Sequence, residues 1–134
     1  MREEKCMEQV KKNLLVVDDS ATFRQLLCMS LARVDGIAPS NITEAIDGED
    51  ALNKVKNGAF DLVLTDIRMP NMDGLEFVRR VRGDLKFDLP IIIISTKGAD
   101  EDISLGMSIG ASAYLSKPIS MVKLRELIFK FLGK

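Results

Sequence analysis

Four short apolar runs in this chain each end on side chains with chemical capacity. They close on Asp18-Asp19, on Asp66, on Ser95-Thr96 and on Lys117. The chain contains no histidine. That removes the usual general base, the commonest metal ligand and any Ser-His-Asp arrangement. Cys6 and Cys28 have no metal-ligand spacing, and no structural disulfide is expected of them. Chemistry must then run on carboxylates, hydroxyls and amines, with or without a metal ion. Close carboxylates cannot all stay ionised without compensation, and a cation supplies it. Oxygen donors alone favour a hard ion, and Mg2+ takes few carboxylates together with phosphate oxygens. A carboxylate flanked by Mg2+, an ammonium and a hydroxyl suits phosphoryl transfer, with the carboxylate as nucleophile and an aspartyl phosphate as product. Taken singly, each residue has a plainer role: Asp18-Asp19 as a helix cap, Asp66 as a turn residue, Lys117 as a surface lysine.

These residues need elements that bring them together. Leu62–Asp66 is a continuous apolar run closed by one carboxylate, with Pro70 and Gly74 as breakers downstream, and it reads as a strand buried on both faces. Residues 13–17, 41–45, 91–94 and 113–116 read as further strands, and the β-branched run at 91–94 is the clearest. Ser20 caps a predicted helix carrying Phe23, Leu26, Leu27, Leu31 and Val34. Asp47-Gly48 open a second helix through Ala51, Leu52 and Val55. A third spans 74–81 with Leu75, Phe77, Val78 and Val81. The fourth, 99–109, is weakened by Gly106 by roughly 1 kcal/mol against alanine. The last, 120–132, carries Met121, Leu124, Leu127, Ile128 and Phe131 on its core stripe.

Strands alternating with helices imply one α/β domain with a parallel sheet and right-handed crossovers. All strand carboxyl ends then lie on one edge, where open sheets bind ligands. If the first and third strands are neighbours, Asp18, Asp19 and Asp66 face one crevice. The pattern does not supply the strand order. With 134 residues the chain is long enough for one domain with a full core. Residues 1–12 read as a polar tail and 13–134 as the domain. Nineteen basic and twenty acidic residues give a net charge of -1, which offers no case for nucleic acid or an anionic membrane. No apolar run is long enough to insert into a membrane, and no secretory signal is expected at the charged start.

Leu15-Val16-Val17-Asp18-Asp19, Asp47-Gly48 with Ala51-Leu52, Thr65-Asp66 through Met69-Pro70-Asn71-Met72-Asp73-Gly74-Leu75, Gly110-Ala111-Ser112 with Tyr114, and Lys117-Pro118 occur in this order and spacing. Together they resemble the receiver domain of response regulators, in its chemotaxis-type form, from residue 13 to the end. The resemblance implies a five-stranded parallel sheet in the flavodoxin-like order 2-1-3-4-5 with five helices. It implies a cytoplasmic two-component regulator that accepts a phosphoryl group on Asp66 from the phosphohistidine of a sensor histidine kinase. Asp19, Asp66 and the backbone carbonyl of Arg68 would ligate Mg2+ directly, with Asp18 acting through water. Ser95 would be the switch hydroxyl, Lys117 the phosphate partner, Tyr114 the aromatic switch, and the peptide before Pro118 cis. Such a protein is no enzyme toward other molecules, although it catalyses its own phosphorylation and dephosphorylation. Arg68 and Lys97 depart from the chemotaxis-type pattern in being basic.

With no output domain expected in 134 residues, output is expected through a downstream protein bound at the fourth helix, fifth strand and fifth helix. Spacing pairs Ile103 with Met107 and Leu105 with Ile109; the resemblance implies Leu105 and Ile109 inside and Ile103 and Met107 outside near Tyr114, with Val122 and Phe129 extending that surface. Three rivals remain. A haloacid-dehalogenase-like phosphatase wants a second Asp two after the nucleophile, where Arg68 stands. A pseudo-receiver would bind partners without phosphorylation. A flavin carrier of the same fold would place an anionic cofactor against Asp18 and Asp19.

Overall fold

The computed structural model describes residues 12–96 and 99–133. Lys12 apart, the expected polar tail lies outside the described residues, as do Cys6 and Lys97. The order of elements is β1 (Leu14–Val17), α1 (Ala21–Ala32), a 3-10 turn (Pro39–Asn41), β2 (Ile42–Ala45), α2 (Gly48–Asn57), β3 (Leu62–Asp66), α3 (Gly74–Gly83), β4 (Ile91–Ser95), α4 (Asp100–Ser108), β5 (Ala113–Ser116) and α5 (Met121–Leu132). All strand pairs are parallel, and the spatial order is β2-β1-β3-β4-β5.

Every residue of β1, β3 and β4 is buried, because helices cover both faces of the sheet. Alternation divides these strands between two core layers. Leu14, Val16, Leu62, Leu64, Ile92 and Ile94 pack with Leu27 and Leu31 of α1 and Leu124 and Ile128 of α5. Leu15, Val17, Val63, Ile91 and Ile93 pack with Ala51 and Val55 of α2 and Phe77 and Val81 of α3. The helices start where short polar side chains accept from their first turn: Ser20 from Phe23 N, Asp47 from Asp50 N, Asp73 from Glu76 N and Ser120 from Lys123 N. Among the described α-helices, α4 alone begins without such a cap, at Ala99.

Two helix faces differ from expectation. Leu26 is exposed on α1, because Leu27, Leu31 and Val34 already fill the stripe facing the sheet. On α4 the expected inward Leu105 is 44% exposed, and Gly106 is the buried residue. A Cβ on Gly106 would stand 2.6 Å from Ile93 Cδ1 and 3.3 Å from Leu75 Cδ2. The missing side chain lets α4 lie close on β4, and this contact turns Leu105 outward. Ile109 packs against the core as expected, Met107 is exposed, and Ile103 is half-buried where it was expected to face outward.

Candidate functional site

The strand register assembles the site. Val17 pairs with Thr65, so Asp18, one residue on, comes beside Asp66. Asp66 pairs with Ile94, so Ser95 extends one step past it. Ser95 pairs with Ser116, and Lys117 follows with its N–H donating to the Ser95 carbonyl at 2.8 Å. The peptide joining Lys117 to Pro118 is cis.

Asp18, Asp19 and Asp66 each bring one oxygen into a group lying within 4.8 Å of one another. Asp18 and Asp66 are buried and Asp19 is exposed. Lys117 Nζ stands 3.5 Å from Asp66 Oδ2 and 3.7 Å from Asp18 Oδ2. Its other side lies over the Phe23 ring, 4.1 Å from the centroid. Asp18 Oδ1 accepts from Ser20 N at 2.8 Å, and Asp66 Oδ1 from Ile67 N at 2.9 Å. Asp18 Oδ2 and Ser95 Oγ are buried without a hydrogen-bond partner among the described residues. Burial pushes both carboxyl groups above the ordinary carboxylate range. For Asp66 the neighbouring Asp18 charge adds to burial, and Lys117 opposes it. For Asp18 burial outweighs the Ser20 amide and Lys117. One ammonium thus compensates the acidic group only in part.

The surrounding backbone is pinned. Arg24 donates from Nη1 to the Asp18 carbonyl at 2.7 Å and from Nε to Glu44 at 2.7 Å, tying α1 and β2 to the first acidic turn. The chain leaving β3 turns back sharply: Gly74 N donates to the Ile67 carbonyl at 2.7 Å, and a Cβ on Gly74 would collide with the Asp66 carbonyl oxygen. Asn71 sits at φ +67, a conformation asparagine tolerates, and its Nδ2 donates to Asp47 at 2.7 Å. That bond, with the Asp50 amide, holds the Asp47 carboxyl below the usual carboxylate range, the Asp50 bond contributing most. Arg68 reaches Asp102 of α4, with Nη2 2.6 Å from Oδ2.

The expected site residues from four strand ends therefore meet at one edge. Tyr114, Ile103 and Met107 do not line the cleft at that edge. Tyr114 is 49% exposed on the edge strand β5 and lines a groove of about 600 Å3 together with Met107, Pro118, Lys123 and Leu127. Ile103 does not line that groove. Val122 and Phe129 are exposed on α5. Sequence reasoning gave no role to Arg24, Asp102 or the Asp47–Asn71 bond, and read Phe23 only as a core residue. These are side-chain pairings between distant segments, and no local pattern marks them.

The fold and this acidic edge define a class. The family model described as the response regulator receiver domain matches residues 14–129, and the chain belongs to that family. It is 35% identical over 122 residues to a chemotaxis protein CheY homolog of Campylobacter jejuni, covering 90% of this chain and 92% of that one. It is 37% identical over 111 residues to response regulator GtcR of Aneurinibacillus migulanus, covering 83% of this chain but 43% of GtcR. Among solved structures, chemotaxis protein CheY4 of Vibrio cholerae superposes with a TM-score of 0.77 at 31% identity, covering 90% of this chain and 98% of that one. The receiver domain of Francisella response regulator 1452 superposes with a TM-score of 0.80 at 27% identity, covering 91% and 97%. No helix among the described residues is long and apolar enough to cross a membrane.

Proposed function

We propose that this receiver domain takes a phosphoryl group onto Asp66 from the phosphohistidine of a sensor histidine kinase and relays the change to a protein partner. The observation that carries this reading is the meeting of three carboxylates within 4.8 Å, with the Lys117 ammonium 3.5 Å from the central one. An Asp66 oxygen attacks phosphorus. The P–N bond breaks, and its electron pair returns to the imidazole nitrogen of the donor. Lys117 stands where it can pair with the phosphoryl oxygens. Ser95 Oγ, unpartnered and buried, has a proton to donate to one of them.

The donor set also fits a divalent ion. Asp18 Oδ2 is buried without a hydrogen-bond partner, all the donors are oxygens, and one ammonium leaves the group net negative. Asp19, Asp66 and the Arg68 backbone carbonyl would hold Mg2+ directly, and Asp18 through water. The chemistry that ion supplies is neutralisation of charge on the transferring group.

On this reading the domain acts on no other substrate and catalyses only its own phosphorylation and dephosphorylation. Movement of Ser95 toward the phosphoryl group opens space for Tyr114 to turn inward, altering the surface of α4, β5 and α5 that a downstream protein reads. The match to a chemotaxis protein over most of both chains supports a cytoplasmic chemotaxis-type regulator.

The test is incubation with acetyl phosphate and Mg2+ followed by intact mass. One phosphoryl group is expected on wild type, none in EDTA and none on Asp66→Asn. Lys117→Ala is expected to accept the group but not to transmit it. Modification of Asp66→Asn to the wild-type level would remove the assignment. A wild type that takes up no phosphoryl group from acetyl phosphate or kinase would be a pseudo-receiver.

A further inference from the structure

Arg68 leaves the acceptor strand two residues after Asp66, and its side chain is committed to α4. Its Nη2 meets Asp102 Oδ2 at 2.6 Å; the Arg68 side chain is 82% exposed and that of Asp102 21%. Asp66, Arg68, Ser95, Asp102 and Lys117 all line one small cleft of about 100 Å3. Among the described residues, helix α4 has no side-chain N-cap, and Gly106 is its one buried residue. The Arg68–Asp102 pair is thus a direct polar tie between the acceptor loop and the first turn of α4.

Arg68 holds Asp102 through one Nη2 contact, the single bond it gives up on turning to fork onto a second anion in this cleft. A carboxylate offers it one charge and two oxygens. A phosphoryl group offers about -1.5 to -2 charge and three strong acceptor oxygens, which makes it the better partner in the same cleft. We infer that Asp102 is the resting partner of Arg68 and competes for it with a phosphoryl group on Asp66, so that phosphorylation unties the first turn of α4. This rests on Asp66 being the acceptor. Asp102 is then a positioning residue: it acts on the reacting group only through Arg68.

The inference also bears on how long the signal lasts. Loss of the group is attack of a water oxygen on phosphorus. The bond to the Asp66 oxygen breaks with its electron pair left on the carboxylate, and inorganic phosphate departs with the protons of the water shared between phosphate and solvent. Arg68 stays protonated at neutral pH and accepts no hydrogen bond, so it cannot orient that water as a base. Lying on the phosphoryl oxygens, it covers the approach. Releasing Arg68 from Asp102 should therefore slow the decay.

The test is a double-mutant cycle on the full chain with Asp102→Asn, Arg68→Gln and both, read in two ways. In unmodified protein, amide exchange across residues 100–108 should speed up by about two- to five-fold in either single variant, the scale of one exposed ion pair. The double variant should exchange no faster than the singles. In protein phosphorylated with acetyl phosphate and Mg2+, Asp102→Asn should slow decay by a similar factor, Asp102→Glu should restore the wild-type rate, and Asp102→Asn should have no effect in the Arg68→Gln background. Exchange effects that add, or a decay effect that persists without Arg68, would overturn the inference. A wild type that never takes up a phosphoryl group would overturn both the acceptor role and the competition, while the exchange cycle would still judge the resting pair.

Discussion

Asp18 and Asp66 share a single ammonium, and that imbalance is measurable. Both are buried, and both carboxyl groups are pushed above the ordinary range, chiefly by burial. An acid with a raised folded pKa gives stability that is full below its unfolded value and is lost as pH rises through the folded value. At neutral pH each ionised carboxylate is therefore a burden on the metal-free fold. Asp18→Asn and Asp66→Asn should each raise stability at pH 7 in EDTA by on the order of 1 kcal/mol. The advantage should shrink as pH falls through the folded pKa of the replaced acid. Melting curves of both variants against pH check this, and variants that melt earlier than wild type at pH 7 would contradict it. At this scale the acidic, hydroxyl and ammonium residues were legible in the sequence, because each closes an apolar run. Phe23 beneath Lys117 was not. The two lie at opposite ends of the chain, and an aromatic at helical spacing reads first as core.

Helix α4 is where sequence and structure part. Gly106 reads as a local weakness on propensity alone, yet it is the residue that lets the helix settle on Ile93. Tertiary contact overrides propensity here, and it also explains why Leu105 faces solvent. Gly106→Ala should fall short of the roughly 1 kcal/mol that helix propensity promises. Gly106→Leu should destabilise by about 1–3 kcal/mol through overpacking against Ile93 and Leu75. Urea unfolding measures both, and a full gain from alanine would show the contact to be slack. With no side-chain cap and Gly106 as its one buried residue, α4 is still the easiest element to displace. Amide exchange on phosphorylation should change most between Ser95 and Ser116. Changes confined to α1 and α2 would contradict a switch carried by this helix.

At the scale of the whole molecule, alternating strand and helix patterns sufficed for a parallel α/β sheet, and the cap at Ser20 marked where the first helix begins. The strand order was not contained in those patterns, because periodicity reports which face is buried and not which strand is the neighbour. Resemblance supplied the order β2-β1-β3-β4-β5, and the register then brings Asp18, Asp66, Ser95 and Lys117 to one edge. A fold that gathers net negative charge at that edge should be stabilised by a divalent ion through mass action. Mg2+ at a hundred times its dissociation constant should add about 2.7 kcal/mol to wild type. Asp66→Asn should gain less, and thermal melts with and without Mg2+ compare them. Equal gains would mean the ion binds elsewhere.

The central claim is that Asp66 carries an acyl phosphate. Borohydride reduces an acyl phosphate to the alcohol, turning a phosphorylated aspartate into homoserine, which peptide mass mapping locates. After treatment with acetyl phosphate and Mg2+, homoserine should appear at position 66, and EDTA should prevent it. Homoserine at position 18 or 19 with position 66 unmodified would contradict the account.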